Sequence, residues 1–146
     1  GALPIGTMDG ANVEMNERVG AEHMFIFGLS AQQGEARKHA GEFNAGPDIA
    51  ASHRLNDVLQ AIRGGVFSPD DPGRYVGLID GLIDYDRFLV CADFDSYWDA
   101  QARVEAHWHD SKAWWRSAVL NTSRMGWFSS DRTIREYATE IWKALD

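Results

Sequence analysis

Two short apolar runs flank a glycine-marked turn and one helix-length segment at the start of the chain, and this order restricts the fold more than any other feature. ALPIGT (Ala2 to Thr7) reads as a short strand bounded by Gly6, with Pro4 placing it at an edge or at the strand's beginning. After the turn MDG, ANVEMNERV combines helix formers with Glu14 and Glu17 in the early turns, where the helix dipole favours acids, and Gly20 is a natural stop. HMFIFG (His23 to Gly28) then has the length and aromatic content of a buried strand. Strand, helix, strand in this order predicts a parallel pair joined by a right-handed crossover.

The following stretch, from Leu29 to Ser52, is polar and rich in glycine, and is expected to be a broken helix and a loop at the surface. Leu55, Val58, Leu59 and Ile62 fall at helical spacing, ended by Gly64 and Gly65. FSPDDPG is a turn by its Ser-Pro and Asp-Pro steps, and Tyr75, Leu78, Ile79 and Leu82 repeat the helical spacing. RFLVCAD (Arg87 to Asp93) is the last strand candidate. Beyond it helices alone are predicted: one stripe is Tyr97, Ala100, Val104 and Trp108, and another is Trp115, Ala118, Val119 and Thr122. A third face, Ile134, Tyr137, Ala138, Ile141, Trp142 and Leu145, follows the cap-like Ser129-Ser130-Asp131. The expected organisation is an α/β portion over residues 1–93 and a helical tail over 94–146. All six tryptophans (Trp98, Trp108, Trp114, Trp115, Trp127 and Trp142) lie in the second half, more flat apolar surface than these helices can cover among themselves. Some of it is expected to meet another domain or subunit.

Charge narrows the range of partners. Twenty-two acids against 14 bases give a net charge of -8 with no basic run, which disfavours nucleic acid. No apolar stretch approaches the roughly 20 residues of a membrane span, and the opening residues lack the basic-then-apolar order of a signal peptide. The single cysteine, Cys91, sits in an apolar run and is expected to be a buried free thiol, which suits the cytoplasm. The chain opens on Gly1 directly before a strand-like segment, as a piece cut from a longer protein would.

Few residues invite a chemical reading. His107 and His109 are two apart, so on a helix they diverge, whereas zinc helices use i, i+4 spacing; solvated helix-end histidines and no metal site are expected. No G-x-S-x-G is present, and Ser129 and Ser130 fit a helix cap. Asp70-Asp71 and Asp84-Asp86 read as turn residues. The turn GTMDGAN remains. A helix N-terminus after small residues offers free backbone N–H groups, although the sequence is not G-x-G-x-x-G and Asp9 would repel a phosphate. It either borders a ligand cleft or is an ordinary β-α turn capped by Asp9 or Asn12.

GTMDGANVEM, MFIFG, FSPDDP, DRFLVCADFDSYWDAQ and GWFSSDRTIREYATEIW, in that order, closely resemble the C-terminal end of the glycogen, starch and maltodextrin phosphorylases. The resemblance covers nearly the whole chain and is weakest between Leu29 and Arg54. It implies part of a Rossmann-like C-terminal domain in a GT-B architecture, followed by a helical tail reaching back across the domain boundary. It further implies a pyridoxal 5'-phosphate-dependent glycosyltransferase that splits α-1,4-glucan with phosphate to give glucose 1-phosphate. In that family the cofactor lysine lies in G-x-G-x-M-K-x-x-L-N, and this chain opens just after the position of that motif. None of Lys38, Lys112 and Lys143 inherits the role. The resemblance therefore assigns no catalytic and no cofactor-binding residue here, and Thr7, Asp9, Gly10 and Asn12 are the cleft-wall candidates.

The leading expectation is a phosphorylase fragment that is inactive and cofactor-free until joined to the rest of its polypeptide. The alternative is a stand-alone binding or assembly module derived from that region. Either way, uncovered strand edges and apolar helix faces predict self-association.

Overall fold

The computed structural model describes residues 1–144. Leu145, placed above on the last apolar face, lies outside the described residues. Strands β1 (Ile5–Thr7) and β2 (Phe25–Phe27) pair in parallel, with Ile5 opposite Phe25 and Thr7 opposite Phe27. Helix α1 (Ala11–Val19) connects them, ending at Gly20, whose φ of 100° is one that side-chain-bearing residues rarely adopt. A 3₁₀ turn (Ala21–His23) then leads into β2, so His23 belongs to the turn and not to the strand. Phe25–Phe27 are only half-buried, because the sheet has just two strands among the described residues, although the long helix Val90–Trp108 packs on it.

Over residues 29–52, where a broken helix and then a loop are expected, helix α2 (Ala31–His39) matches the helical part and helix α3 (Gly46–Ala51) stands where loop was expected. Ser30 closes a reciprocal capping box with Gln33 at the start of α2. The Arg37 guanidinium grips both carboxylate oxygens of Asp48 at 3.1 and 2.9 Å. This fork pins α2 to α3 and, with other acids nearby, raises the Arg37 pKa. Ala45 and Ser52, inside the same polar stretch, are buried.

The core forms where α4 (His53–Arg63) and α5 (Val76–Asp84) meet α6 (Val90–Trp108): Ala45, Leu55, Leu59, Ile79 and Cys91 cluster there, with Phe94 against them. Both predicted helix stripes supply it, although Leu78 faces outward. Ile79, 2% exposed, is the largest side chain fully enclosed. Ile79→Ala is expected to cost about 2–5 kcal/mol, as enclosed large-to-small changes do, read as a lowered denaturant midpoint.

RFLVCAD is not a strand. Arg87 to Leu89 form a turn, and α6 starts at Val90. The buried Asp86 carboxylate accepts the N–H groups of Val90 (2.9 Å) and Cys91 (2.7 Å), satisfying donors that a helix start leaves free. Leu89 takes a left-handed conformation, φ 57°, to make the turn. A short apolar run does not separate strand from buried helix by period alone, and here the acid four residues ahead decides. Cys91 is buried as expected, and burial together with the nearby Asp86 charge pushes its thiol up to about 12.

Helix α7 (Ser111–Arg124), capped by Asp110, packs on α6, on α1 and on the 3₁₀ turn after α1. A buried polar cluster forms there: Ser117 Oγ lies 2.9 Å from His23 Nδ1 and 3.3 Å from His107 Nε2, while Asn121 donates to the His23 carbonyl. Helix α8 (Ser130–Glu136) is capped by Ser129, as its sequence predicts, but gives way to a π-helical turn over Tyr137–Ile141. Among the described residues of its apolar face Ala138 alone is buried; Ile134, Tyr137, Ile141 and Trp142 are exposed. Trp127 anchors this segment, with the Arg18 and Arg132 guanidinium groups 3.5 and 3.7 Å from its ring centre.

Candidate functional site

Three turns meet at the carboxyl ends of β1 and β2, the end at which open α/β sheets bind ligands. The first is the β1–α1 turn. Thr7 Oγ1 donates to Asp9 Oδ1 at 2.9 Å, and Asn12 Nδ2 donates back to the Thr7 carbonyl at 2.9 Å. Asn12 fits closely beneath Gly6, where an added Cβ would lie 2.6 Å from its amide nitrogen. Gly10, φ 48°, occupies the N-cap position of α1, which has no side-chain cap. Neither Asp9 nor Asn12 caps the helix, contrary to one of the sequence readings. The Asp9 side chain is engaged by Thr7, and Asn12 reaches back to brace the strand end.

The second turn joins β2 to α2. Gly28 N–H donates to Ser96 Oγ at 2.9 Å and Leu29 N–H to Asp93 Oδ1 at 2.7 Å, both acceptors coming from the early turns of α6. The third is the Asp86–Leu89 turn, which leaves Phe88 78% exposed beside the other two. Between the turns lie two adjoining cavities. One, of about 160 Å³, is lined by Thr7, Asp9, Ser30, Lys38, Phe88 and Asp93 among others. The other, of about 310 Å³, shares Thr7, Phe88 and Asp93 but is otherwise walled by apolar groups such as Phe27 and Phe94.

The structure thus brings Thr7 and Asp9 to the cavities and keeps Gly10 and Asn12 behind them as the frame of the turn. Sequence reasoning missed Asp93, Phe88 and Lys38. Asp93 was hidden as the last residue of a supposed strand, and a helical reading of DRFLVCAD would have placed it on the same side as Asp86 and Val90. Burial raises the Asp93 pKa, opposed by the Leu29 N–H and reinforced by the negative charges of Asp86 and Asp9; Arg37 acts in the lowering direction. A raised folded-state value means that this carboxyl favours the fold most below the ordinary aspartate range, and that its contribution is lost as pH rises through the raised value. Asp93→Asn, which retains an acceptor for Leu29, is expected to remove that fall in stability with rising pH. Thermal unfolding followed from acid to neutral pH in both proteins checks this.

Other groupings among the described residues offer no accessible chemistry. Glu22, His23 and Ser117 are strung like an acid–base–nucleophile set, with Glu22 Oε1 3.4 Å from His23 Nε2. Ser117 is 2% exposed, however, and its hydroxyl is shared with His107, so the set serves as internal hydrogen bonding. His107 packs edge-on against Phe25, 5.7 Å between ring centres, and is no solvated helix-end histidine. His109 follows α6 and faces solvent, so the two histidines diverge as their spacing predicts. A groove of about 770 Å³ runs along α6 with Trp98, Trp108 and Trp114 in its walls; it is apolar and meets the second strand-end cavity at Phe94 and Tyr97. It is a packing face in character and lacks convergent polar groups.

The arrangement defines an α/β protein whose candidate ligand site spans the carboxyl ends of parallel strands. More particularly, the chain belongs to the carbohydrate phosphorylase family, whose sequence model matches residues 1–144. It is 45% identical to the brain-form glycogen phosphorylase of Bos taurus over 144 residues, 99% of this chain and 17% of that protein. Glycogen phosphorylase of Synechocystis sp. is 45% identical over 97% of the chain, and that of Pasteurella multocida 44% identical over 98%, again with 17% of each relative covered. The chain therefore spans about one sixth of the length of these relatives.

The family resemblance implies pyridoxal phosphate, which is held through a lysine. Lys112, in the first turn of α7, and Lys143 are exposed and lie outside both cavities. Lys38 reaches the cavity rim but is also exposed, with Asp9, Glu35 and Asp93 as the charged groups lining the same space. A Schiff-base lysine calls for a desolvated setting, and a phosphate calls for donors without competing acids. These residues do not fit the cofactor.

Proposed function

We propose that this chain is the C-terminal part of an α-1,4-glucan phosphorylase, a glycosyltransferase that uses phosphate to release glucose 1-phosphate from glycogen or maltodextrin. The observation that carries the reading is 44–45% identity to glycogen phosphorylases over nearly every residue, from Gly1 through the C-terminal helices. The fold is consistent with a margin of a Rossmann-like domain in a GT-B enzyme: a parallel β-α-β unit, a cavity at its strand ends and a helical tail whose apolar face is uncovered. In this reading the cytoplasmic parent holds pyridoxal phosphate through residues outside this chain. Thr7, Asp9 and Asp93 form one wall of its cleft, while Gly10 and Asn12 frame the turn behind. By itself the chain is inactive and binds no cofactor, and its exposed faces associate with the rest of the polypeptide or, without it, with other copies.

The test is glucose 1-phosphate formation from maltodextrin and inorganic phosphate by the full-length polypeptide that carries this chain. Glucose 1-phosphate appearing only when phosphate is supplied is expected. Release of free glucose, or of no sugar product, would contradict the assignment. With activity established, Asn12→Ala is expected to lower it by roughly tenfold, since losing the brace displaces Thr7 and Asp9 together; equal activity would remove this turn from the cleft wall.

A further inference from the structure

The cleft-facing turn after β2 is held to its own helix only at Ser30, through the capping box with Gln33. Its first two backbone N–H groups, those of Gly28 and Leu29, donate to Ser96 and Asp93 on α6, 68 and 64 residues away in sequence. Contact there is close: Gly28 has φ 79°, and a Cβ at that position would lie 2.6 Å from Asp93 Cγ and 2.7 Å from each carboxylate oxygen. Asp93 also lines both cavities, between Thr7 of the first turn and Phe88 of the third. Only one of its oxygens is used by Leu29. Its backbone belongs to the helix whose start Asp86 fixes, so any movement of α6 is transmitted to the turn.

We propose that Asp93 is a positioning residue for the phosphorolysis reaction: by clamping the Gly28–Leu29 turn to α6, it sets the distance between the cavity-facing turns and thereby the shape of the cleft wall offered to the glucan or phosphate. This rests on the phosphorylase reading. The clamp needs an acceptor at the Oδ1 position and does not need a charge. Asparagine can supply the acceptor and alanine cannot.

The test uses the full-length polypeptide, well below its melting temperature, with wild type, Asp93→Ala and Asp93→Asn compared. Asp93→Ala is expected to reduce kcat/KM by roughly 10- to 100-fold, mainly through KM, because a displacement of about 1 Å at a reacting site has effects of this size. Asp93→Asn is expected to restore kcat/KM to within about threefold of wild type, the remaining difference being that of an uncharged acceptor. Hydrogen exchange of the peptide covering Gly28 to Ser30 supplies a readout independent of activity, faster in Asp93→Ala and unchanged in Asp93→Asn. Wild-type kinetics in Asp93→Ala overturn the proposal. So does an Asp93→Asn variant as impaired as Asp93→Ala, which makes the charge itself the functional group. Unaltered exchange in Asp93→Ala removes the clamp alone, whereas a wild-type enzyme without phosphorolysis removes the reaction to which the clamp was assigned.

Discussion

Asp86→Ala is expected to destabilise the chain by about 2–4 kcal/mol. The carboxylate is 3% exposed, and its two oxygens take the N–H groups of Val90 and Cys91 at the start of α6. Hydrogen bonds to a charged partner contribute about 1.5–3 kcal/mol each, and a buried donor left without a partner adds its own desolvation cost. Cys91 is itself buried, so water does not readily replace the lost acceptor at its amide. The effect extends beyond the cap, because the same turn holds Leu89 in its left-handed conformation and presents Phe88 at the cavities. Asp86→Asn retains one acceptor and is expected to lose about half as much. Urea unfolding of the three proteins decides the matter. A loss below about 0.5 kcal/mol for alanine would mean that the core, rather than the carboxylate, fixes where α6 begins.

The second large effect is expected at Gly28. Alanine there places a methyl group against the Asp93 carboxyl, 2.6 Å from Cγ, on a backbone with φ 79°. The left-handed conformation alone costs an L-residue about 1–2 kcal/mol, and relieving the overlap requires the turn to leave α6 and give up the Leu29 N–H bond. A total of about 2–4 kcal/mol is expected. The cause is identifiable by a double-mutant cycle: with Asp93→Ala already present, the steric part disappears, so Gly28→Ala should cost at least about 1 kcal/mol less than in the wild-type background. Additive losses would show that backbone strain, and not contact with Asp93, accounts for the glycine.

Local pattern was enough to read the β-α-β start, the helices carrying Leu55 and Ile79, and the Ser129 cap, since each is encoded by neighbours within one or two turns. Errors arose where a polar partner, rather than the apolar period, decides. Arg87 to Asp93 has the apolar composition of a strand, but Asp86 makes its second half a helix. Residues 29–52 read as a broken helix and a loop, and the second helix, α3, was missed because the stabilising fork, Arg37 with Asp48, links two short helices that have little apolar surface. The site was legible in part. GTMDGAN marks a glycine turn at a strand end, and Thr7 and Asp9 do face a cavity. Asp93 was invisible as a partner of Leu29 because nothing local relates positions so far apart in sequence. The family, by contrast, was carried by ordered blocks throughout the chain, and matching over residues 1–144 agrees with it.

The uncovered tryptophans follow the same logic at larger scale. Trp114 is enclosed, and its indole N–H donates to the Gly1 carbonyl at 2.9 Å, whereas Trp98, Trp108, Trp115 and Trp142 are each more than half exposed. Relatives about six times longer supply polypeptide that could cover such surface, in keeping with the proposed dependence on the rest of the enzyme.

The most direct measurement of the central claim is hydrogen exchange on the full-length polypeptide with and without maltodextrin plus inorganic phosphate. Slower exchange on ligand binding is predicted in the peptides covering Thr7 to Asn12, Gly28 to Ser30 and Asp86 to Asp93, the three turns that converge at the strand ends. Protection that bypasses all three and falls instead on the tryptophan-lined groove of α6 would contradict this account and move the ligand site to that face.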